Sequence, residues 1–144
     1  MYQDALATFA SGQSAVSSDG VITPGAYSYD KGAALNDLGV GEPLFVVFTI
    51  TEVLVGGTTI TFSIVDDDNA ALSSPAVLAE FTAALATFAE GYQFALALPQ
   101  GSTQRYLGVG IKPVGANVTD GNFSAFLTHD VPKNINYPAG STIV

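Results

Sequence analysis

The sequence predicts an all-β domain, a jelly roll or β-sandwich of about eight short strands with extended terminal arms. Three observations predict it. Residues 43–65 read as a hairpin of two long apolar strands. Turn residues punctuate the rest of the chain at short, regular intervals. Only one segment carries a helical period. At 144 residues the chain fits one domain, able to bury a core without disulfide staples, and no linker or internal repeat divides it.

Taken in order, residues 1–14 are apolar at Tyr2, Leu6 and Phe9 but rich in turn formers, and read as an N-terminal arm. Short strands are expected at residues 15–18 and 26–29. Residues 43–55 (PLFVVFTITEVLV) are β-branched and aromatic, as strands are. Gly56-Gly57 follows as the turn, because glycine accepts positive φ. Residues 58–65 then alternate, with Ile60, Phe62 and Ile64 on one face and Thr59, Thr61 and Ser63 on the other. Further strands are expected at 92–98, 105–111 and 122–128, separated by Pro99-Gln100-Gly101-Ser102, Pro113 to Gly115, and Asp120-Gly121. Gly108-Val109-Gly110, inside one of them, marks a bulge or a close backbone contact. Ile135, Tyr137, Ile143 and Val144 lie in a turn-rich C-terminal arm, residues 131–144.

Residues 75–90 are the ambiguous segment. Leu78, Phe81, Leu85, Phe88 and Tyr92 recur at spacings of three and four, the stripe of an amphipathic helix. Ser74 suits its N-cap, Pro75 its first turn and Gly91 its stop. The alternative is a strand at 76–82 followed by a turn-rich stretch to Glu90.

Composition excludes several functions. The net charge is −9, and Lys31, Arg105, Lys112 and Lys133 are the only Lys and Arg residues. Nucleic-acid binding needs clustered cations, so it is not expected. The N-terminus Met1-Tyr2-Gln3-Asp4 lacks a basic region before an apolar run, which argues against a signal peptide. No apolar run approaches the roughly 20 residues that span a bilayer, so neither a membrane nor export is expected, and synthesis belongs in the cytoplasm. Charged residues make up only 12% and mean hydropathy is +0.37, so part of the surface reads as covered by other subunits.

No constellation points to catalysis or to a cofactor. Asp66-Asp67-Asp68 lacks the alternating ligands, central glycine and distal glutamate of a calcium loop, and reads as a solvated acidic turn. His129 is the single histidine and the chain has no cysteine, which leaves metalloenzyme and triad chemistry without its parts. Glu42, Glu52, Glu80 and Glu90 show no pairing of the kind glycoside hydrolysis needs, and no phosphate loop is present. The chain is therefore read as a non-enzyme with no metal, catalytic or cofactor site.

Several short motifs occur in a telling order. Asp37-Leu38-Gly39-Val40-Gly41-Glu42-Pro43-Leu44-Phe45 opens the long strand. Ser74-Pro75-Ala76-Val77-Leu78, Gly91-Tyr92, Leu98-Pro99 and Arg105-Tyr106-Leu107-Gly108 follow. In that order, over roughly residues 28–126, the chain resembles the jelly-roll capsid cement (decoration) proteins of short-tailed bacteriophages. It departs from them at Asp30-Lys31-Gly32, where an apolar residue is expected between the Asp and the Gly. The resemblance implies a jelly roll, a strand at 76–82 in place of the helix, and a homo-oligomer (dimer or trimer). It also implies a virion protein that binds the phage major capsid protein on the outer surface and stabilises contacts between its subunits. Interface candidates are Tyr2, Leu6, Phe9, Arg105, Tyr106, Tyr137, Ile143 and Val144. Arg105-Tyr106 sets a cation beside an amphipathic ring at a strand start, suited to pinning a loop. The rival reading is a carbohydrate-binding β-sandwich module, which would want exposed Trp or Tyr platforms; the chain has no Trp.

Overall fold

The computed structural model describes residues 7–32, 43–100 and 104–128. Among them run nine strands: β1 (Thr8–Ser14), β2 (Thr23–Pro24), β3 (Tyr29–Asp30), β4 (Phe45–Gly56), β5 (Thr59–Asp67), β6 (Ala76–Ala84), β7 (Gln93–Ala97), β8 (Tyr106–Val114) and β9 (Val118–Thr128). They form two antiparallel sheets. The first has the order β1-β9-β4-β7 and the second β2-β8-β5-β6, with β3 also on β8. β2 and β3 pair with the same strand, at Gly110–Ile111 and Tyr106–Leu107 respectively. They are thus one strand broken at residues 25–28. Counted so, eight strands divide between two four-stranded sheets in the order of a jelly roll, with β5 and β6 the one consecutive pair in the same sheet. No helix among the described residues is long and apolar enough to cross a membrane.

The β4–β5 hairpin turns at Gly56-Gly57 with φ of +89° and +80°, a conformation that only glycine adopts without strain. Inward side chains of the two sheets meet in one core. Phe62 is fully buried at its centre, with ring centroids 5.4 Å from Phe48, 5.2 Å from Phe88, 5.5 Å from Phe94 and 5.4 Å from Phe123. Such offset and edge-on contacts are the favoured geometries of aromatic rings.

Residues 76–84 are a strand, β6, two residues longer than expected, and a 3-10 turn follows at Leu85–Thr87. The helical stripe still packs inward, by a different route. Phe81 faces the core from β6, Leu85 sits in the 3-10 turn, and Phe88 fills the core at 1% exposure. Pairing with β5 along Thr59 to Asp66 satisfies backbone groups that a helix would satisfy locally.

Two expectations need correction at the N-terminal side. The arm was expected over residues 1–14, but Thr8–Ser14 is the edge strand β1, paired with β9. Phe9 is 1% exposed and Ala10 fully buried; burying them in the core outweighs a pattern broken by Gly12 and two register shifts. Residues 15–18 form no strand; Ser17 bridges to Val118, and the Ala15 N–H donates to Gly121 O at 2.8 Å. Residues 26–29 give way to β2 and β3 on either side of the break.

Candidate functional site

β1, β4 and β8 begin, and β3, β7 and β9 end, at one end of the sandwich. β1 begins there beside the end of β9, with Thr8 opposite Phe126, and β4 begins there with Phe45 opposite Thr128. β3 ends there and β8 starts there, with Asp30 opposite Tyr106. The start of β1 and the end of β9 therefore lie side by side in one sheet.

Charged side chains tie this end together. Arg105 donates from Nε to Asp30 Oδ1 at 2.7 Å and from Nη2 to Asp30 Oδ2 at 2.8 Å, a bidentate pair. The Gly32 N–H donates to the same carboxylate at 2.8 Å. These bonds, Arg105 foremost, hold the Asp30 carboxyl down at about 2 and push the Arg105 guanidinium up. The guanidinium also lies 5.2 Å from the Tyr106 ring centroid. Arg105 thus ties the start of β8 to the end of β3 within the chain. Lys31 donates its N–H to the Arg105 carbonyl at 2.9 Å, and its side chain is only 4% exposed. The position where an apolar residue was expected is indeed interior; here a lysine occupies it.

The acidic triplet organises the next loop. Asp67 accepts from the Ser74 N–H at 2.7 Å and the Asn69 N–H at 3.3 Å. Ser74's bond, the larger cause, draws the Asp67 carboxyl below its ordinary range. Asp66 accepts from the Gln104 N–H at 3.3 Å. Asp66 and Asp67 are 2% and 4% exposed, so two members of the triplet are interior and the solvated-turn reading holds for Asp68 alone. The loop they shape seats Leu72, at φ +51° and 2% exposure, against Gly108. A Cβ at Gly108 would collide with the Leu72 side chain, and one at Gly110 would lie 2.6 Å from Ile22. Those two glycines are notches that let Leu72 and Ile22 cover the outer face of the second sheet. This explains why Thr61, Ser63 and Val65 are buried although they point away from the core.

At the opposite end, around the β4–β5 hairpin and the β8–β9 turn, Val16, Val53, Val55 and Val114 stand 45–53% exposed. Ser17 opposite Val118, Val55 opposite Asp120 and the bond from Thr58 N–H to Val114 O bring them to one end. Of the interface candidates, Phe9 belongs to the core and Arg105 and Tyr106 to the loop clamp. Tyr2, Leu6, Tyr137, Ile143 and Val144 lie outside the described residues, as does His129. Sequence reasoning met Asp30 and Lys31 only as a departure from the family pattern and missed Leu72. The Asp67-x-Asn69 spacing, typical of side-chain-capped turns, was the one local signal available.

A protein-family model named Bbp16 matches residues 9–127. The chain belongs to the Bbp16 family. This is a phage-related family. The match runs from the second residue of β1 to the last but one of β9, so the Bbp16 unit is the sandwich itself, with its loop clamp and glycine notches inside it. No curated protein matches the chain.

Proposed function

We infer that this chain is a non-enzymatic structural protein of a phage virion. It binds the outer surface of the capsid as a homo-oligomer and stabilises contacts between neighbouring major capsid protein subunits. The observation that carries this reading is the match of a phage-related family to a jelly roll whose β1 start and β9 end lie side by side at one clamped end. Residues 1–6 and 129–144 are then the contact arms. Charge scarcity supports the same view, because attachment by a weakly charged chain rests on apolar burial and backbone pairing. Burial contributes roughly 25 cal/mol per Å², so covering the one tyrosine of each arm, Tyr2 or Tyr137, yields a few kcal/mol before ordering costs.

Cosedimentation with purified shells tests it. Deleting residues 1–6 or 129–144 is expected to leave a folded domain that attaches poorly, while moderate salt weakens the intact protein only slightly. Undiminished binding by both truncations, or release by modest salt, would refute the arms as the clamp. Failure to bind shells together with binding on a glycan array would favour a carbohydrate-binding module.

A further inference from the structure

The outer faces of the two sheets are finished differently. Over the second sheet Leu72 and Ile22 seat at the Gly108 and Gly110 notches, and Thr61, Ser63 and Val65 are buried. The outer face of the first sheet changes along its length. At the clamped end Val47 and Phe126 stand outside the core cluster yet are 1% and 5% exposed. Across the middle the face is polar: Gln93 Nε2 donates to Thr49 Oγ1 at 3.0 Å, and the Gly12 N–H donates to Ser124 Oγ at 2.8 Å. At the hairpin end it is apolar and open. Leu54 is a core residue, so by strand alternation Val53 and Val55 point outward. Val16 does the same between the buried Ala15 and Ser17, and the three valines are 47–53% exposed.

Charge limits what can cover these valines. Glu52 lies beside them on β4, held by the Asn122 side-chain amide, and Asp120 stands opposite Val55. The strands of the first sheet carry no Lys or Arg. Among the described residues the cations belong to the second sheet and its borders: Lys31 follows β3, Arg105 is bonded to Asp30, and Lys112 lies in β8. Two copies meeting through this face would set carboxylates against carboxylates, and nucleic acid or an anionic lipid would be repelled in the same way. A protein surface that sets Lys or Arg among apolar side chains is complementary on both counts.

We propose that the hairpin half of the first sheet's outer face, Val16, Val53 and Val55 around Glu52 and Asp120, docks on the capsid shell. Its counterpart is an apolar patch of the major capsid protein that carries Lys or Arg. The inference rests on the reading above and deepens it by naming the face that meets the shell. The start of β1 and the end of β9, next in sequence to the two arms, belong to this same sheet, so arms and valines engage the shell from one sheet. Ion pairs enclosed by apolar side chains are screened little, which keeps such attachment insensitive to moderate salt.

The chain lacks cysteine, so single-cysteine variants report one position each. V16C and V55C are alkylated with a maleimide, free and on purified empty shells, beside V114C, which lies at the same end on the second sheet. On shells V16C and V55C are expected to react at least about tenfold more slowly than in the free protein, and V114C at an unchanged rate. Glu52→Lys, folded by circular dichroism, should bind shells about tenfold more weakly, because like charges then face each other. Wild-type protein that fails to cosediment would overturn the attachment reading and this face with it. Attachment with V16C and V55C fully reactive, or with V114C protected in their place, would overturn the face alone. Protection of V55C without shells would assign the valines to a second copy and overturn it too. E52K that binds as tightly as wild type would refute the cationic partner patch.

Discussion

Replacing Phe9 by alanine tests the assignment of residues 8–14 to the sandwich. Phe9 is 1% exposed and packs within the main core cluster. Its carbonyl also receives the Tyr27 N–H that laces the two sheets. Full burial of a phenylalanine side chain contributes about 1.5–3 kcal/mol by transfer alone, and the cavity left by truncation raises the cost to about 3–5 kcal/mol. Domains are stable by only about 5–15 kcal/mol, so F9A should remove about a fifth or more of the total. For a domain of this size each kcal/mol is worth about 3–4 °C, midway between the ranges for smaller and larger domains; the expected fall in Tm is about 9–20 °C. With no tryptophan to report, urea unfolding is followed by circular dichroism or tyrosine fluorescence, and the midpoint should fall at unchanged slope. Deletion of residues 1–6 should leave the midpoint within about 0.5 kcal/mol of wild type, the usual scale of changes away from the core. An F9A midpoint equal to wild type would mean that β1 is not docked and that the arm does extend to residue 14.

Two further outcomes follow from the clamp and the hairpin. Asp30 is held at about 2, below its ordinary 3.8, so its contribution to stability is full above about pH 5 and fades as pH falls toward the folded value. Asp30→Asn should therefore unfold at lower urea than wild type near neutrality, with the gap closing between about pH 4 and pH 2; a gap constant across that window would deny the pairing with Arg105. Gly56→Ala should cost at least about 2 kcal/mol, because φ is +89° and a Cβ there meets the Asn117 carbonyl oxygen, a backbone atom that cannot swing aside. Thermal unfolding within a degree or two of wild type would contradict it.

What the sequence disclosed and what it hid follow one rule: local signals were legible and non-local ones were not. The β4–β5 hairpin announced itself through alternation and a glycine pair, and β4, β5, β7, β8 and β9 lie within a few residues of where periodicity puts them. β1 was illegible because Gly12 at φ +55° and two register shifts break its alternation. Nothing in TFASGQS says that Phe9 reaches the core. At residues 75–90 two periods compete. Spacing alone favours a helix, and only the partner strand β5, contributed from outside the window, decides for β6. The clamp is the extreme case: Asp30 and Arg105 are 75 residues apart and meet because β3 and β8 are neighbours in the sheet. Lys31 was legible only as an anomaly, a lysine where an apolar residue was expected, and its burial shows why that position is demanding.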